Sequence, residues 1–304
     1  MKDNETELDT EEKKLSKVEE TAAALVRMGI SRASPKSLNT MKLLCSDRER
    51  QLQQKVRLVN RIAAGESKRA HIDVKILKVA LKHQEAMLKF IEDAASECVE
   101  DHPVWPWLKE VRGIGPILAA ELLAPIDFSK ARHCSSLWKF CGLAVNQITD
   151  KEGVTVDVAD RRIKGQPLEY NMSLKVLLLG KISAQFLKLN TMYMPGGKKA
   201  GQHDPQYVRF YAQERKKLAS IRPDQNDLHH HRKAVRKMMK IFVSHLWDVG
   251  RRAYDLSTDR PWIVASAHGG HDENSYISVE EIFPKFDVAS LRNNHPAAKR
   301  TSVI

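Results

Sequence analysis

Through residues 37–64, apolar residues recur every three or four positions. Leu38, Met41, Leu44, Leu52, Val56, Val59 and Ile62 share one side of a helix and leave lysine and arginine on the other. That spacing predicts a long amphipathic helix. Gly65-Glu66-Ser67 breaks it, and residues 74–95 resume the pattern with Leu77, Leu81, Leu88, Ile91 and Ala95 before His102-Pro103 ends the second helix. Two long helices joined by a short turn predict an antiparallel pair. Such a pair serves as a spacer or a dimerising stalk, so a homodimer through residues 36–103 is one expected assembly. Shorter helices follow, then a last long helix over 228–252 with Val235, Met238, Met239, Phe242, Leu246 and Val249 in one stripe. Only 153–158, where Val154, Val156 and Val158 alternate with Thr155 and Asp157, reads as strand, and a lone strand pair is marginal. The expected fold class is therefore all-α: a helical hairpin stalk at 36–103, then a helical domain at 104–255 containing a helix-hairpin-helix. A poorly ordered acidic arm at 1–35 and a loosely ordered tail at 256–304 flank them.

Charge changes this picture from architecture toward function. The 304 residues carry 50 Lys+Arg against 38 Asp+Glu, a formal net charge of +12. It is unevenly spread: the first 20 residues hold 8 acids and 4 lysines, whereas residues 151–255 hold 21 basic and 10 acidic residues, a net of 21 − 10 = +11. An excess so concentrated implies a polyanionic partner, nucleic acid first among them. No apolar run approaches the ~20 residues of a membrane helix, and residues 1–27 show no apolar signal core, so the expectation is a soluble cytoplasmic, nucleoid-associated protein with no membrane partner. Cys45, Cys98, Cys134 and Cys141 form no C-x-x-C pair, which disfavours a disulfide scaffold and a zinc ribbon and predicts reduced thiols. His229-His230-His231 and His268-Gly269-Gly270-His271-Asp272 lack metal-ligand spacing, so no metal site is expected.

The most specific local signal lies at 104–123. Leu108 and Val111 close one helix, Gly113 and Gly115 permit a tight turn, and Pro116 suits the first turn of the next helix. The pattern is that of a helix-hairpin-helix whose exposed N–H groups, with Arg112, would meet a phosphate oxygen; the alternative is a plain turn between two core helices. Further on, Arg132-His133, Trp138 and Cys141-Gly142-Leu143 continue the series, followed by Arg161-Arg162-Ile163-Lys164-Gly165. Together with the hairpin, these stretches resemble the C-terminal domain of the insertion-sequence transposases related to the Piv DNA invertase, over roughly residues 38–255. Residues 229–247 look like the final helix of some stand-alone relatives.

The resemblance implies a transposase-like role in DNA transposition or recombination. It also implies that the RuvC-like DEDD nuclease domain of complete members is absent here, since the mostly helical residues before the hairpin offer no strands to carry four carboxylates. No cofactor is then expected in this chain. Mg²⁺ would come with a RuvC-like partner chain, and a structured guide RNA is a further partner to consider beside DNA. The family's nucleophilic serine has no counterpart between Leu143 and Lys164; Thr149 and Ser173 are the nearest hydroxyl candidates, and neither has an evident activating base. The second functional reading is a catalytically inactive, domesticated DNA- or RNA-binding protein with a regulatory or architectural role.

The last helix supplies the remaining candidates. Arg232, Lys233, Arg236, Lys237 and Lys240 are five basic residues in nine, with no acid between Leu228 and Trp247 to balance them. They point to phosphate contact, and Arg161, Arg162, Lys164, Lys198, Lys199, Arg215, Lys216 and Lys217 add to the field. Trp138, Tyr170, Tyr193 and Tyr211 are either base-stacking or core aromatics. Glu121 is expected in a solvated or arginine-paired role, and Asp127 or Ser129 as a helix cap.

Overall fold

The computed structural model describes residues 38–67, 73–149, 153, 155–162, 165, 167–189, 206–258, 277–288 and 291, with the backbone alone at 38, 146–149 and 155–157. The acidic arm, Lys164, Tyr193, Lys198, Lys199, His268, His271 and the Thr149 side chain lie outside the described residues. The fold is mostly helical, as the periodicity predicts. In chain order the helices are α1 (Leu38–Glu66), α2 (Val74–Glu100), α3 (Trp105–Leu108), α4 (Pro116–Leu123), α5 (Cys134–Phe140), α6 (Met172–Val176), α7 (Ser183–Leu189), α8 (Val208–Ile221), α9 (Asp227–Ala253) and α10 (Val279–Ile282). A π-helical turn, Leu177–Ile182, makes α6 and α7 one continuous rod. The only described strands, β1 (Val145–Thr149) and β2 (Thr155–Ala159), pair antiparallel with Val145 opposite Ala159 and Thr149 opposite Thr155.

The chain divides into two compact units: residues to His102 with Ala119–Pro125, and Pro103–Leu118 with the remainder from Ile126. The first unit is the antiparallel pair α1 and α2, joined by the end of α4. Asp73 caps α2 by accepting the Lys75 N–H. The inward row of α2, Leu88, Ile91, Ala95, Cys98 and Val99, is buried, and Gln84 reaches across to Gln51. Arg48 on α1 ties the unit together, donating to Glu92 at 2.7 Å and to Glu121 at 2.6 Å. Glu121 is thus arginine-paired, and the stretch 119–125 groups with the stalk, whereas the sequence pattern assigns it to the next domain.

The second unit is built on α9. Asn226 caps it by accepting the His229 N–H at 2.8 Å. The stripe Val235, Met238, Met239, Phe242, Leu246 and Val249 is buried along its whole length. Phe242 is the hub: Trp107, Phe186 and Tyr207 surround its ring at centroid distances of 6.0, 5.5 and 5.3 Å. The tail also enters this core. Val279, Ile282, Phe283, Val288 and Leu291 are buried, and Phe283 packs edge-on against Trp107 at 6.0 Å, so 277–288 and Leu291 are not the loose tail that their composition suggests. Lower on α9, Trp247 donates to the Ala131 carbonyl at 2.7 Å and Arg251 donates to Phe128 and Ala131. Gly250 has no room for a side chain, because a Cβ there would overlap the Phe128 ring.

Candidate nucleic-acid interface

At the expected helix-hairpin-helix the chain makes a tight glycine turn, and the element itself is not established. The helix before the turn, α3, is a single turn long, and Gly113 takes a left-handed φ of +97° that favours glycine. A Cβ on Gly113 would come within 3.3 Å of both Phe186 and Leu189, so this glycine permits close packing of the chain on itself. The Gln206 amide clamps the turn, accepting the Arg112 N–H and donating to the Glu110 carbonyl, each at 3.0 Å. Arg112 is half-buried, and its Nη1 is enclosed without a hydrogen-bond partner among the described residues. Gly115, by contrast, is exposed with nothing near its Cβ direction. Only this second glycine presents an open backbone.

A different corner gathers the predicted cations. Gly142 follows α5 with φ +65°, and a Cβ there would lie 2.7 Å from Tyr170 and 2.9 Å from Lys175. Glycine is required for this crossing. Arg236, reaching from α9, donates to the Gly142 carbonyl at 3.3 Å. One turn on, Lys240 lies over the Trp138 ring at 5.0 Å, while the Trp138 indole donates to the Lys240 carbonyl at 3.1 Å. Lys175 donates to the Asp160 carbonyl and lies 4.4 Å from the centre of the Tyr170 ring. The Asp160 N–H donates to Ala144 at 3.2 Å, which closes the base of the ribbon and leads directly into the exposed Arg161 and Arg162. Among the described residues the corner thus assembles parts of α5, α6 and α9 around the ribbon's foot.

Its electrostatics reflect crowding by like charge. Burial lowers the pKa of Lys240, and Arg236 and Lys237 lower it further. Burial likewise lowers Arg236, with Asp160 acting in the opposite direction. Arg232, Lys233 and Lys237 are exposed, Lys233 touching only Gln225 at 3.3 Å among the described residues. The five basic residues at 232–240 of α9 therefore fall into two kinds: three solvated cations, and two, Arg236 and Lys240, seated in the corner. Among the described residues, Trp138 is the predicted stacking aromatic that keeps appreciable exposure, since Tyr170 and Tyr211 are 8% and 3% exposed.

Other candidates are placed elsewhere. Arg132 is exposed beside Ala131, whose carbonyl is held by Trp247. From Arg236 to Trp247 is 11 residues of helix, about 16 Å along its axis. Arg132 therefore belongs to the far end of α9. Ser173 is exposed near the start of α6, and its hydroxyl makes no hydrogen bond among the described residues. The three histidines diverge as adjacent helical residues must: His229 is exposed, His230 donates to the Arg222 carbonyl at 2.9 Å, and His231 accepts from Tyr211 at 2.8 Å. Arg215 donates to that same Tyr211 hydroxyl and pairs with Asp227, so it is not a free cation. Asp127 accepts from the Ser129 N–H and hydroxyl in a turn ahead of α5 rather than capping the helix. Burial pushes the thiols of Cys134 and Cys141 up to about 12, which leaves both protonated and unreactive near neutrality.

Sequence reasoning missed Lys139, Lys175 and Asp160 as members of this corner. The available signal was Gly142, a lone glycine after an amphipathic turn, which marks a close crossing of chain segments. No helix among the described residues is long and apolar enough to cross a membrane. Comparison with known proteins returns nothing: no family model, no curated protein and no solved structure matches the chain.

Proposed function

We propose that this protein binds nucleic acid, DNA in the first instance, through the α9 face and the Gly142 corner, and acts in DNA transposition or recombination. The observation that carries the reading is the set Arg232, Lys233, Arg236, Lys237 and Lys240 with no acid on the same stretch of helix, two of the five held in place against Gly142 and Trp138. Seated cations meet phosphate oxygens without first losing side-chain freedom, and the solvated ones extend the field outward. The Trp138 edge beside them offers a surface for an unpaired base. Transposition or recombination rests on the resemblance of the hairpin and the last helix to the transposase domain. DNA, a guide RNA and a RuvC-like nuclease chain are the partners this reading names.

A binding titration tests it. For an interface of six to ten phosphate contacts, affinity for duplex DNA falls by roughly 10³ to 10⁵ between about 50 and 200 mM salt. A response that stays flat over that range overturns the reading.

A further inference from the structure

The stalk is short of a core. Between Met41 and Ile62 on α1, and from Val74 to Met87 on α2, no residue is buried, and the inward positions Val74, Leu77, Leu81 and Gln84 are only half-buried. Helices in water take most of their stability from a packed apolar face, and two helices alone do not enclose this one. A second apolar row runs down the outside of α2. Ile76, Ala80, Met87, Phe90 and Ala94, with His83 in the remaining place, follow at steps of four and three, the heptad spacing of a helix-packing seam. Within it Ile76 and Met87 are 67% and 50% exposed.

Charge identifies what fits there. Residues 74–84 carry Lys75, Lys78 and Lys82 and no acid, whereas residues 85–100 carry Glu85, Glu92, Asp93, Glu97 and Glu100 against Lys89 alone, so the two halves of α2 have net charges of +3 and 1 − 5 = −4. The changeover falls between Gln84 and Glu85, at the middle of the row from Ile76 to Ala94. The helix is therefore complementary to itself when a second copy lies antiparallel, basic half on acidic half, and a parallel copy would set like charges together. Lys75, Lys82, Asp93 and Glu100 make no ion pair among the described residues and remain for contacts across the seam. The surface of α1 offers no such match, because its exposed Val56 and Val59 lie beside Arg57 and Arg61, which would repel their own counterparts.

We infer that the outward row of α2 is a self-association seam, on which a second copy of this chain packs antiparallel about a two-fold axis near Glu85 and completes the stalk as a four-helix assembly. The inference does not depend on the nucleic-acid reading. From Ile76 to Ala94 the row covers 94 − 76 = 18 residue steps, about 27 Å of helix. A seam of that length makes a small interface, below about 1,200 Å² in total, so the dimer forms and separates with concentration.

The experiment is sedimentation velocity of the full chain between about 1 and 200 µM, where an interface of this size populates the dimer. The parent is expected to be dimeric at the top of that range. Ile76→Glu with Met87→Glu is expected to weaken association at least about ten-fold, since each copy would bury charge in the seam. Val56→Glu with Val59→Glu, on the other exposed apolar surface, is expected to stay within about two-fold of the parent. Lys75→Glu with Lys82→Glu sets acid against acid and is expected to weaken association about three- to ten-fold, and adding Asp93→Lys with Glu100→Lys is expected to restore it to within about two-fold. Circular dichroism checks helicity, and if the Ile76 and Met87 variant loses it, Ile76→Gln with Met87→Gln is read in its place. A parent that stays monomeric up to about 200 µM overturns the inference. So does a dimer that survives the folded Ile76 and Met87 variant, or one that is lost through Val56 and Val59. Charge reversal that the second pair of substitutions does not rescue overturns the antiparallel seam.

Discussion

His245 is fully buried on α9 between two partners. Its Nε2–H donates to the Ile277 carbonyl at 2.9 Å, since a carbonyl can only accept, and this leaves Nδ1 to accept the Tyr207 hydroxyl, also at 2.9 Å. Both ring nitrogens are satisfied by the neutral imidazole, and burial lowers the pKa from 6.5 to about 4, the Ile277 carbonyl and Glu280 working against that shift and Arg209 with it. Because the folded value lies below the unfolded one, the unfolded chain takes up the proton first as pH falls. The stability due to this residue is therefore complete above about pH 6.5 and declines toward pH 4, by up to about 3 kcal/mol over the whole window. Thermal denaturation at several values between pH 7.5 and 4.5 checks this, the parent being expected to lose more of its Tm on acidification than His245→Gln. Equal losses in the two proteins would show that other groups carry the acid sensitivity.

At the scale of elements, the two glycines of the hairpin separate packing from binding. Gly113→Ala meets a left-handed φ and the side chains of Phe186 and Leu189, so it should destabilise the fold by about 1 to 3 kcal/mol. Gly115→Val meets neither obstacle, and its Tm should stay within a degree or two of the parent. If the backbone before α4 contacts phosphate, Gly115→Val nonetheless weakens duplex binding; if binding is unchanged, the hairpin is a turn between core helices and the interface lies wholly at the Gly142 corner. The long helices were legible in the sequence because apolar residues recur along each at helical spacing, although only α9 buries its stripe throughout: on α1, Val56 and Val59 of the expected apolar face are 57% and 44% exposed. The predicted spans 37–64, 74–95 and 228–252 become Leu38–Glu66, Val74–Glu100 and Asp227–Ala253, with ends moved by a few residues where capping by Asn226 or Asp101 decides. The split among the α9 cations was not legible. What seats Arg236 is the carbonyl of Gly142, 94 residues earlier, and periodicity carries no information about a partner at that distance. Helix α10 was invisible for another reason: four residues are too few for a period, and the burial of Val279, Ile282 and Phe283 depends on distant partners such as Trp107 and Tyr207, whose rings meet Phe283.

For the whole molecule, a charge of +12 steers the chain toward any polyanion, so binding by itself says little about chemistry. Cleavage of a phosphodiester needs metal-bound water or an activated hydroxyl or thiolate held in line. Among the described residues no three His, Cys, Asp or Glu side chains gather to hold a metal, Cys134 and Cys141 remain protonated, and the Ser173 hydroxyl has no base bonded to it. The expected outcome is that the purified chain with Mg²⁺ retains supercoiled plasmid in gel-shift complexes and leaves it unnicked after the protein is stripped away. Thr149→Ala and Ser173→Ala should then behave as the parent does. Nicking by the parent that disappears in either variant would show a hydroxyl nucleophile and make the chain an enzyme in its own right. Nicking that survives both but stops with chelator would place a metal-dependent activity elsewhere in the chain.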